Sequence, residues 1–345
     1  MMFMNRKVKH ITQAVFLLLL IVGTAFVLRR HQEMQLQYSH GPIFGTSYNI
    51  EYEYTAPLDS LILCQLRAVD NSLSMFNDSS TVARINAGQT MTTDAMLREV
   101  LKKSLEVSAE TEGAYDVTVA PLVNAWGFGL KNDSNVTPQM IDSIRAFVGY
   151  EKVKLVGDKL VKADGRTMMD FSSIAKGYAV DRVARLFDSL KIENYMIEIG
   201  GEIVVRGLHP ENRPWKIGVN KPSDSAEMEL QTTLSLTNVA MATSGNYRRF
   251  YVKDGKRYAH TIDPLTGYPV QHELLSATVL APDCATADAY ATAFMVMGLE
   301  KARQLLSRHK ELSAYFIYTD KDGNFATWTT ENMKKYMHDE TKSSR

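Results

Sequence analysis

The chain has 345 residues, of which 45% are hydrophobic and 23% are charged, and it contains 20 Gly and 10 Pro. This composition is typical of a globular protein and excludes a disordered, collagen-like or disulfide-stapled chain. Basic and acidic residues balance at 39 each, but residues 1–30 hold five basic residues and no acidic one, so the rest of the chain is mildly acidic. A mildly acidic body is a poor ligand for polyanions, which argues against nucleic-acid binding.

The N-terminal part of the chain predicts attachment to a membrane. A basic segment, 1–10, precedes an apolar segment, 11–28, and Arg29 and Arg30 follow. The apolar segment is long enough to cross a thin bilayer as a helix, so we expect a single N-terminal transmembrane anchor. A cleaved signal peptide is the alternative, although neither an A-x-A site nor a Cys for lipid attachment follows. Residues 29–40 are expected to form a polar tether.

Residues 41–330 show no linker or internal repeat and predict one catalytic domain, with a polar tail at 331–345. Apolar residues at helical spacing, together with capping signals, predict helices at 58–76, 94–112, 137–149, 174–189, 285–297 and 300–308. Alternation and β-branched residues predict strands at 43–54, 152–156, 159–163, 195–199, 202–206, 215–219 and 229–236, with hairpin turns at Asp254-Gly255 and Asp322-Gly323. Strands and helices that follow each other without regular alternation indicate an α+β fold, with mixed or antiparallel sheets covered by helices.

Common cofactor and hydrolase signatures are absent from the sequence. There is no G-x-G-x-x-G, P-loop, H-E-x-x-H or G-x-S-x-G motif, which excludes the usual dinucleotide, NTPase, zincin and hydrolase sites. The two cysteines, Cys64 and Cys284, lack C-x-x-C spacing. They are therefore free thiols or form at most one bridge.

Two segments contain residue types suited to a flat, phosphorylated ligand. In 112–129, glycines bracket two aromatic residues and Asp116 lies beside small residues. This segment is either a turn with buried aromatic residues or one wall of a ligand cleft. In 170–181, Ser172, Ser173 and Lys176 stand at a predicted helix start. Free backbone N–H groups there attract phosphate oxygens, although a plain serine cap explains the pattern equally well.

Two further segments contain candidate catalytic and metal-binding side chains. In 285–298, Asp288 and Thr292 are four residues apart on a predicted helix, among Ala, Met and Phe. Their hard oxygen atoms suit Mg²⁺, whereas a salt-bridged Asp and a capping Thr are the simpler reading. The segment 242–269 is predicted to consist mainly of strands, yet it contains several polar side chains: Thr243, Ser244, Arg248, His260, Thr261 and Asp263. His260 by itself would be read as a structural histidine. Because polar side chains surround it in the sequence, we take His260 with Asp263 as the candidate catalytic base, since an imidazole next to a carboxylate can accept a proton near neutral pH.

Eight segments, in order, together resemble the ApbE family of Mg²⁺-dependent FAD:protein FMN transferases over nearly all of residues 40–320. They are GTSY (45–48), LSMFNDSS with a following IN (73–86), EGAYDVTVAPLVNAWGFG (112–129), DFSSIAKGYAVD (170–181), EIGGEI (198–203), ATSGNYRR (242–249), AHTIDPLTGYP (259–269) and ATADAYATAFMVMG (285–298). The resemblance implies an ApbE-like fold related to the T-fold.

The resemblance also implies an activity: transfer of FMN from FAD, the substrate, onto a Thr or Ser hydroxyl of an acceptor protein, with release of AMP and with Mg²⁺ as cofactor. It implies that the ligand contacts are Phe44, Phe76, Ala114, Tyr115, Asp116, Asp170 and Lys176, and that the metal ligands are Ser173, Asp288 and Thr292. Three positions depart from the family: Phe44 and Phe76 stand where Met and Tyr are common, and Ala291 where some members carry a further Asp.

The family suggests acceptors in membrane redox complexes, such as subunits of Na⁺-translocating quinone reductases and Rnf-type complexes. With the N-terminal anchor, this places the catalytic domain on the periplasmic side of a bacterial inner membrane. Two other functions use the same site: FAD pyrophosphatase activity, in which water replaces the acceptor hydroxyl, and non-enzymatic flavin binding at a membrane.

Overall fold

A computed structural model of the chain describes residues 6–30, 34–130, 136–222, 229–246, 250–253 and 256–337. The helices are α1 (Arg6–Arg30), α2 (Asp59–Leu73), α3 (Thr81–Asn86), α4 (Ala95–Glu110), α5 (Ala120–Ala125), α6 (Pro138–Arg145), α7 (Ala175–Ser189) and α8 (Cys284–Arg308). Short 3-10 helices cover Tyr150–Lys152 and Glu331–Tyr336. The strands are β1 (Gln35–Ile43), β2 (Thr46–Tyr54), β3 (Val153–Val156), β4 (Lys159–Lys162), β5 (Tyr195–Ile199), β6 (Glu202–Arg206), β7 (Trp215–Asn220), β8 (Leu230–Leu236), β9 (Val239–Gly245), β10 (Phe250–Lys253), β11 (Lys256–Ala259), β12 (Leu274–Ala281), β13 (Ser313–Thr319) and β14 (Phe325–Thr329).

One antiparallel sheet organises the described part of the chain. Its eight strands run in the order β1-β2-β5-β6-β9-β12-β13-β14, and each neighbouring pair is antiparallel. Three two-stranded ribbons, β3–β4, β7–β8 and β10–β11, complete the strands. The predicted α+β fold with antiparallel sheets is confirmed.

The central strands are buried on both faces, so the sheet lies between two layers. In β6, Val204 belongs to the main core with α2, α4, α7 and α8, whereas Ile203 and Val205 belong to a second core formed with β7 and β8. Because successive side chains of a strand point to opposite faces, one strand contributes to both cores. The helices therefore cover one face of the sheet and the β7–β8 ribbon covers the other.

Both ends of the predicted catalytic domain differ from expectation. Strand β1 begins at Gln35, inside the segment 29–40 that we expected to be a tether, and pairs with β2 from Gln35↔Tyr54 to Ile43↔Thr46. As an edge strand it carries polar side chains, which explains why its sequence looks like a linker. The expected polar tail begins with a 3-10 helix whose Met333 is buried in the second core.

The predicted membrane anchor is not confirmed. Helix α1 contains the apolar segment 11–28 and continues into basic residues at both ends. Within residues 6–30 and the other described ranges, we find no helix with the length and apolarity required to cross a bilayer.

Two predicted helices, 285–297 and 300–308, form a single element that breaks at Gly298. Helix α8 runs through both, and Gly298 has a φ of 74° and a ψ of 172°. The His272 Nε2 lies 2.9 Å from the Met295 carbonyl oxygen just before the break.

The predicted hairpin at Asp254-Gly255 is confirmed by the pairing of its flanking strands, although the turn itself lies outside the described residues. Cys64 and Cys284 are both free.

Helices α7 and α8 lie in close contact where α8 begins. A Cβ atom at Gly177 would lie 2.4 Å from the Cys284 carbonyl oxygen and 2.9 Å from the Ala285 nitrogen. In return, the Asp181 carboxylate on α7 accepts the backbone N–H groups of Cys284 and Ala285, at 2.8 and 2.9 Å. Burial raises the pKa of Asp181 to about 7. These contacts fix the start of α8 against the first turns of α7.

We predict that Gly177→Ala destabilises the protein. This is the opposite of the usual effect, since alanine in a helix interior is more favourable than glycine by about 1 kcal/mol. The added methyl group meets backbone atoms, which cannot rotate away, so we expect the free energy of unfolding to fall by about 1–3 kcal/mol in denaturant titrations. Gly165→Ala is the control, since a Cβ atom there has no neighbour within 4 Å. A Gly177→Ala variant as stable as the unchanged protein would contradict this packing.

Candidate active site

A cleft of about 1180 Å³ lies where the β1–β2 turn, the loop after α2, the start of α7 and the first half of α8 meet. Asp263 is the one predicted site residue outside its wall. The others all line it: Phe44, Phe76, Ala114, Tyr115, Asp116, Asp170, Ser173, Lys176, His260, Asp288 and Thr292. The structure thus brings together residues that are up to about 250 positions apart in the sequence.

Two aromatic side chains stand on the cleft wall in exposed or strained positions. Phe44 and Gly45 join β1 to β2 with φ values of 51° and 71°. A positive φ is costly for a bulky side chain, and such strain is concentrated at functional sites. Phe76 is 62% exposed. Both rings line the cleft, where they can contact a flat ligand, although Phe44 also packs against the main core.

The segment 114–118 forms a buried polar wall. Asp116 Oδ1 accepts hydrogen bonds from the Thr118 backbone N–H and from the Thr118 hydroxyl, both at 2.7 Å. Burial raises the pKa of Asp116 to about 6. The Thr118 oxygen in turn accepts the Gly149 N–H at 2.7 Å, so this carboxylate is held rigidly.

The start of α7 is joined to that wall and is not capped by serine. The Asp170 N–H donates to the Val117 carbonyl at 2.7 Å, and Asp170 Oδ1 accepts the Ser172 N–H at 2.8 Å. The N-cap residue of α7 is Ile174, which makes no side-chain cap bond. The Ser173 hydroxyl instead donates to the Tyr115 hydroxyl at 3.2 Å. The simple capping explanation for the serines is therefore wrong.

Two neighbouring residues of α7 bind two buried carboxylates. The Lys176 Nζ lies 2.5 Å from Glu202 Oε2, and the Gly177 N–H donates to Asp288 Oδ2 at 3.1 Å. Both carboxylates raise the pKa of the Lys176 ammonium and more than offset the effect of its burial. Burial raises the pKa of Asp288. A single ammonium thus faces two carboxylates at the inner end of the cleft.

Several hydroxyl groups line the same cleft as Asp288. Thr292, one turn further along α8, has its Oγ1 3.2 Å from the Ser244 Oγ on β9. Asp288, Thr292, Ser173 and Ser244 line the same cleft. Among the residues that the structure describes, no three His, Cys, Asp or Glu side chains form a metal-binding group. A site with one carboxylate and several hydroxyls suits Mg²⁺, which binds few carboxylates and takes its other oxygen ligands from water and substrate phosphates.

Of the two residues predicted to form the catalytic base, only His260 lines the cleft. His260 lies on the cleft wall, with its ring edge-to-face to Phe128 at a centroid distance of 6.5 Å. Asp263 Oδ1 accepts the Leu265 N–H at 2.8 Å and its Oδ2 accepts the Thr266 hydroxyl at 3.0 Å. Asp263 does not line the cleft, and its carboxylate holds a tight turn, so the structure gives no support for its predicted catalytic role. Arg248 lies outside the described residues.

The sequence left two interpretations of 112–129 open, a turn with buried aromatic residues or one wall of a ligand cleft, and each holds for one of its aromatic residues. Trp126 is buried and its Nε1 donates to the Gly267 carbonyl at 2.8 Å, which joins this segment to the loop after His260. Phe128 lines the cleft. One ring is therefore structural and the other belongs to the site.

Sequence reasoning missed Glu202 as a site residue. It is the first residue of β6, only 2% exposed, and lines the cleft through its contact with Lys176. The EIGGEI segment contains it, but a carboxylate at the start of a strand gives no sign of burial by itself. The pair of glycines before it, Gly200 and Gly201 with φ of 63° and 104°, was the available signal of a tight turn.

Comparison with known proteins agrees with this geometry. The sequence model of the ApbE family matches residues 44–316. The FAD:protein FMN transferase of Haemophilus influenzae is 38% identical over 312 residues, which cover 86% of this chain and 90% of the relative; that of Escherichia coli K12 is 35% identical over 297 residues, 84% of each. The solved structure of the flavin transferase ApbE from Vibrio cholerae superposes with a TM-score of 0.79 at 36% identity, covering 88% of this chain and 99% of that one. The chain therefore belongs to the ApbE family.

Proposed function

We propose that this protein transfers the FMN moiety of FAD onto a Thr or Ser hydroxyl of an acceptor protein and releases AMP. The observation that carries the proposal is one cleft lined by the rings of Phe44 and Phe76 together with Lys176, Asp288 and several hydroxyls. The rings suit an isoalloxazine, and the inner polar groups suit a diphosphate with a divalent cation. The relatives carry this activity in their names, which supports the same reaction here.

We propose that Mg²⁺ is held by Ser173, Asp288 and Thr292. The donor set fits, because all three side chains line the same cleft and offer hard oxygen atoms. The position of Ala291, where some members carry an Asp, is fully buried. When bound, the cation polarises phosphate oxygens and offsets the charge that develops on the leaving phosphate.

The chain's own residues supply the remaining steps. The oxygen of the acceptor hydroxyl forms a bond to the FMN phosphorus, while the bond between that phosphorus and the bridging oxygen breaks, and the bridging oxygen leaves with AMP. The Lys176 ammonium offsets phosphate charge during this exchange. The proton of the acceptor hydroxyl passes to a base, and His260 is our candidate because it lies on the cleft wall. Phe44 and Phe76 orient the flavin.

We predict that the protein, incubated with FAD, Mg²⁺ and a Thr-containing acceptor, adds one FMN to the acceptor, and that Asp288→Ala abolishes this adduct. The side chains that contact the flavin remain, so FAD binding should persist in part while the phosphate chemistry stops. Mass spectrometry of the acceptor measures the adduct, and fluorescence titration measures FAD binding.

Activity of Asp288→Ala within about tenfold of the unchanged protein would contradict the metal assignment. Release of free FMN and AMP at the same rate with and without acceptor would instead identify the protein as a pyrophosphatase.

We predict that His260→Ala slows transfer by about two to four orders of magnitude, the usual effect of a lost general base, while FAD affinity changes by no more than a few fold. Asp263→Asn is the matched comparison, since its carboxylate serves a turn; we expect its rate to stay within about threefold of the unchanged protein. Single-turnover kinetics and FAD titrations measure the two quantities. If His260→Ala loses affinity in proportion to rate, His260 is a ligand contact and not the base.

We propose that the acceptors are subunits of membrane redox complexes, of the Na⁺-translocating quinone reductase or Rnf type. The support is the ApbE family membership and a row of apolar side chains on α1. Residues 15–22 are all between 51% and 65% exposed. Attachment to the inner membrane through α1, with the cleft in the periplasm, stays a prediction.

We predict that removal of residues 1–30 leaves a folded protein that binds FAD and transfers FMN, because β1 begins at Gln35 and, among the residues that the structure describes, the cleft lining begins at Phe44. The full chain should sediment with membranes and the shortened chain should not. Fractionation followed by immunodetection, with an FAD titration of each chain, measures both effects. Loss of FAD binding on truncation would show that the segment belongs to the catalytic fold.

A further inference from the structure

Glu202 is a buried carboxylate that binds the side chain of Lys176. It is 2% exposed, and its Oε2 lies 2.5 Å from the Lys176 Nζ, whose side chain is 29% exposed. A buried carboxylate without a cation is strongly unfavourable, so this pair is held in place by the burial of its acidic member.

The backbone around Glu202 is rigid. The Gly201 N–H donates to Glu198 Oε1 at 2.7 Å, and the Asn49 amide donates to Glu198 Oε2, also at 2.7 Å. A Cβ atom at Gly200 would lie 2.8 Å from Thr46 and 3.4 Å from the Lys176 Cδ. The turn that delivers Glu202 therefore packs directly against the stem of Lys176.

Lys176 also lies close to the second carboxylate of the cleft. Asp288 accepts the N–H of Gly177, the residue that follows Lys176, and it is 3% exposed. One ammonium next to two buried carboxylates can neutralise only one of them fully. The 2.5 Å contact shows that it pairs with Glu202 and not with Asp288.

We propose that Glu202 is a positioning residue: it binds the Lys176 ammonium and thereby leaves the Asp288 carboxylate available to a divalent cation. The inference rests on the proposed role of Asp288 as a metal ligand. Without the charge of Glu202, the ammonium of Lys176 turns toward Asp288. A cation that approaches Asp288 then meets a neutralised ligand and a like charge.

The test measures Mn²⁺, an EPR-visible substitute for Mg²⁺, binding to the full chain without FAD. Glu202→Gln keeps the shape of the side chain and removes its charge, and we expect the Kd for Mn²⁺ to rise by about tenfold or more. The double variant Lys176→Met/Glu202→Gln removes both charges of the pair. Because no ammonium then competes for Asp288, we expect its Kd to return to the original value or below.

Two controls separate this effect from damage to the site. Glu300→Gln removes a negative charge from α8 itself, but this carboxylate is exposed, pairs with Arg303 and does not line the cleft, so we expect the Kd for Mn²⁺ to change by no more than about twofold. Asp288→Ala identifies the binding event and should abolish it. Thermal unfolding of each variant confirms that the chain is folded.

The outcomes distinguish the possible failures. Weak binding in Glu202→Gln that is restored in the double variant supports the proposal. Equal binding in Glu202→Gln and the unchanged protein, or weak binding in both the single and the double variant, overturns it while Asp288 remains a metal ligand. Mn²⁺ binding that does not depend on Asp288 overturns the metal assignment itself, and this inference with it.

Discussion

The site depends on the first turn of α7, where consecutive residues bind carboxylates from two other elements. Lys176 pairs with Glu202 of β6, and the Gly177 N–H binds Asp288 of α8. The second contact requires α7 and α8 to approach more closely than a side chain at position 177 would allow. The glycine is therefore a condition for the position of Asp288, and not only for helix packing.

This constraint explains why the cleft lies at one end of the sheet. Strands β2, β5 and β6 carry the turns that hold Phe44 and Glu202, while β9 carries Ser244 beside Thr292 of α8. Phe76 is exposed on the cleft wall, whereas Glu202 and Asp288 are buried. A ligand with a flat ring and a diphosphate matches a cleft that combines such groups.

Much of this arrangement could be predicted from the sequence. Asp288 and Thr292 could be identified as candidate site residues because they are polar residues at helical spacing among Ala, Met and Phe. Strand β5 alternates between buried and partly buried positions, and both β5 and β6 were predicted with the bounds that the structure shows. The resemblance to the ApbE family supplied the ligand contacts, and all of those lie on the cleft wall.

The remaining features have no local signal. Strand β1 is polar because it is an edge, and its two-residue turn places Phe44 at a positive φ, a position where such turns favour Asn, Asp or Gly. Strands β9 and β12 are central and buried on both faces, so they lack alternation. The roles of Glu202 and Asp263 depend on partners: one carboxylate is buried against Lys176, and the other binds its own turn. The different roles of these two carboxylates can be recognised only in the tertiary structure.

The central claim is that the protein divides its charges so that Lys176 stays with Glu202 while Asp288 and Thr292 hold a cation on the phosphates. A crystal structure of the protein with FAD and Mn²⁺, with anomalous data collected for the metal, tests it most directly. The account predicts an anomalous peak about 2 Å from the Asp288 carboxylate and the Thr292 hydroxyl, beside the diphosphate, with the Lys176–Glu202 contact retained. A metal peak away from Asp288, or a Lys176 ammonium paired with Asp288 in the complex, would contradict it.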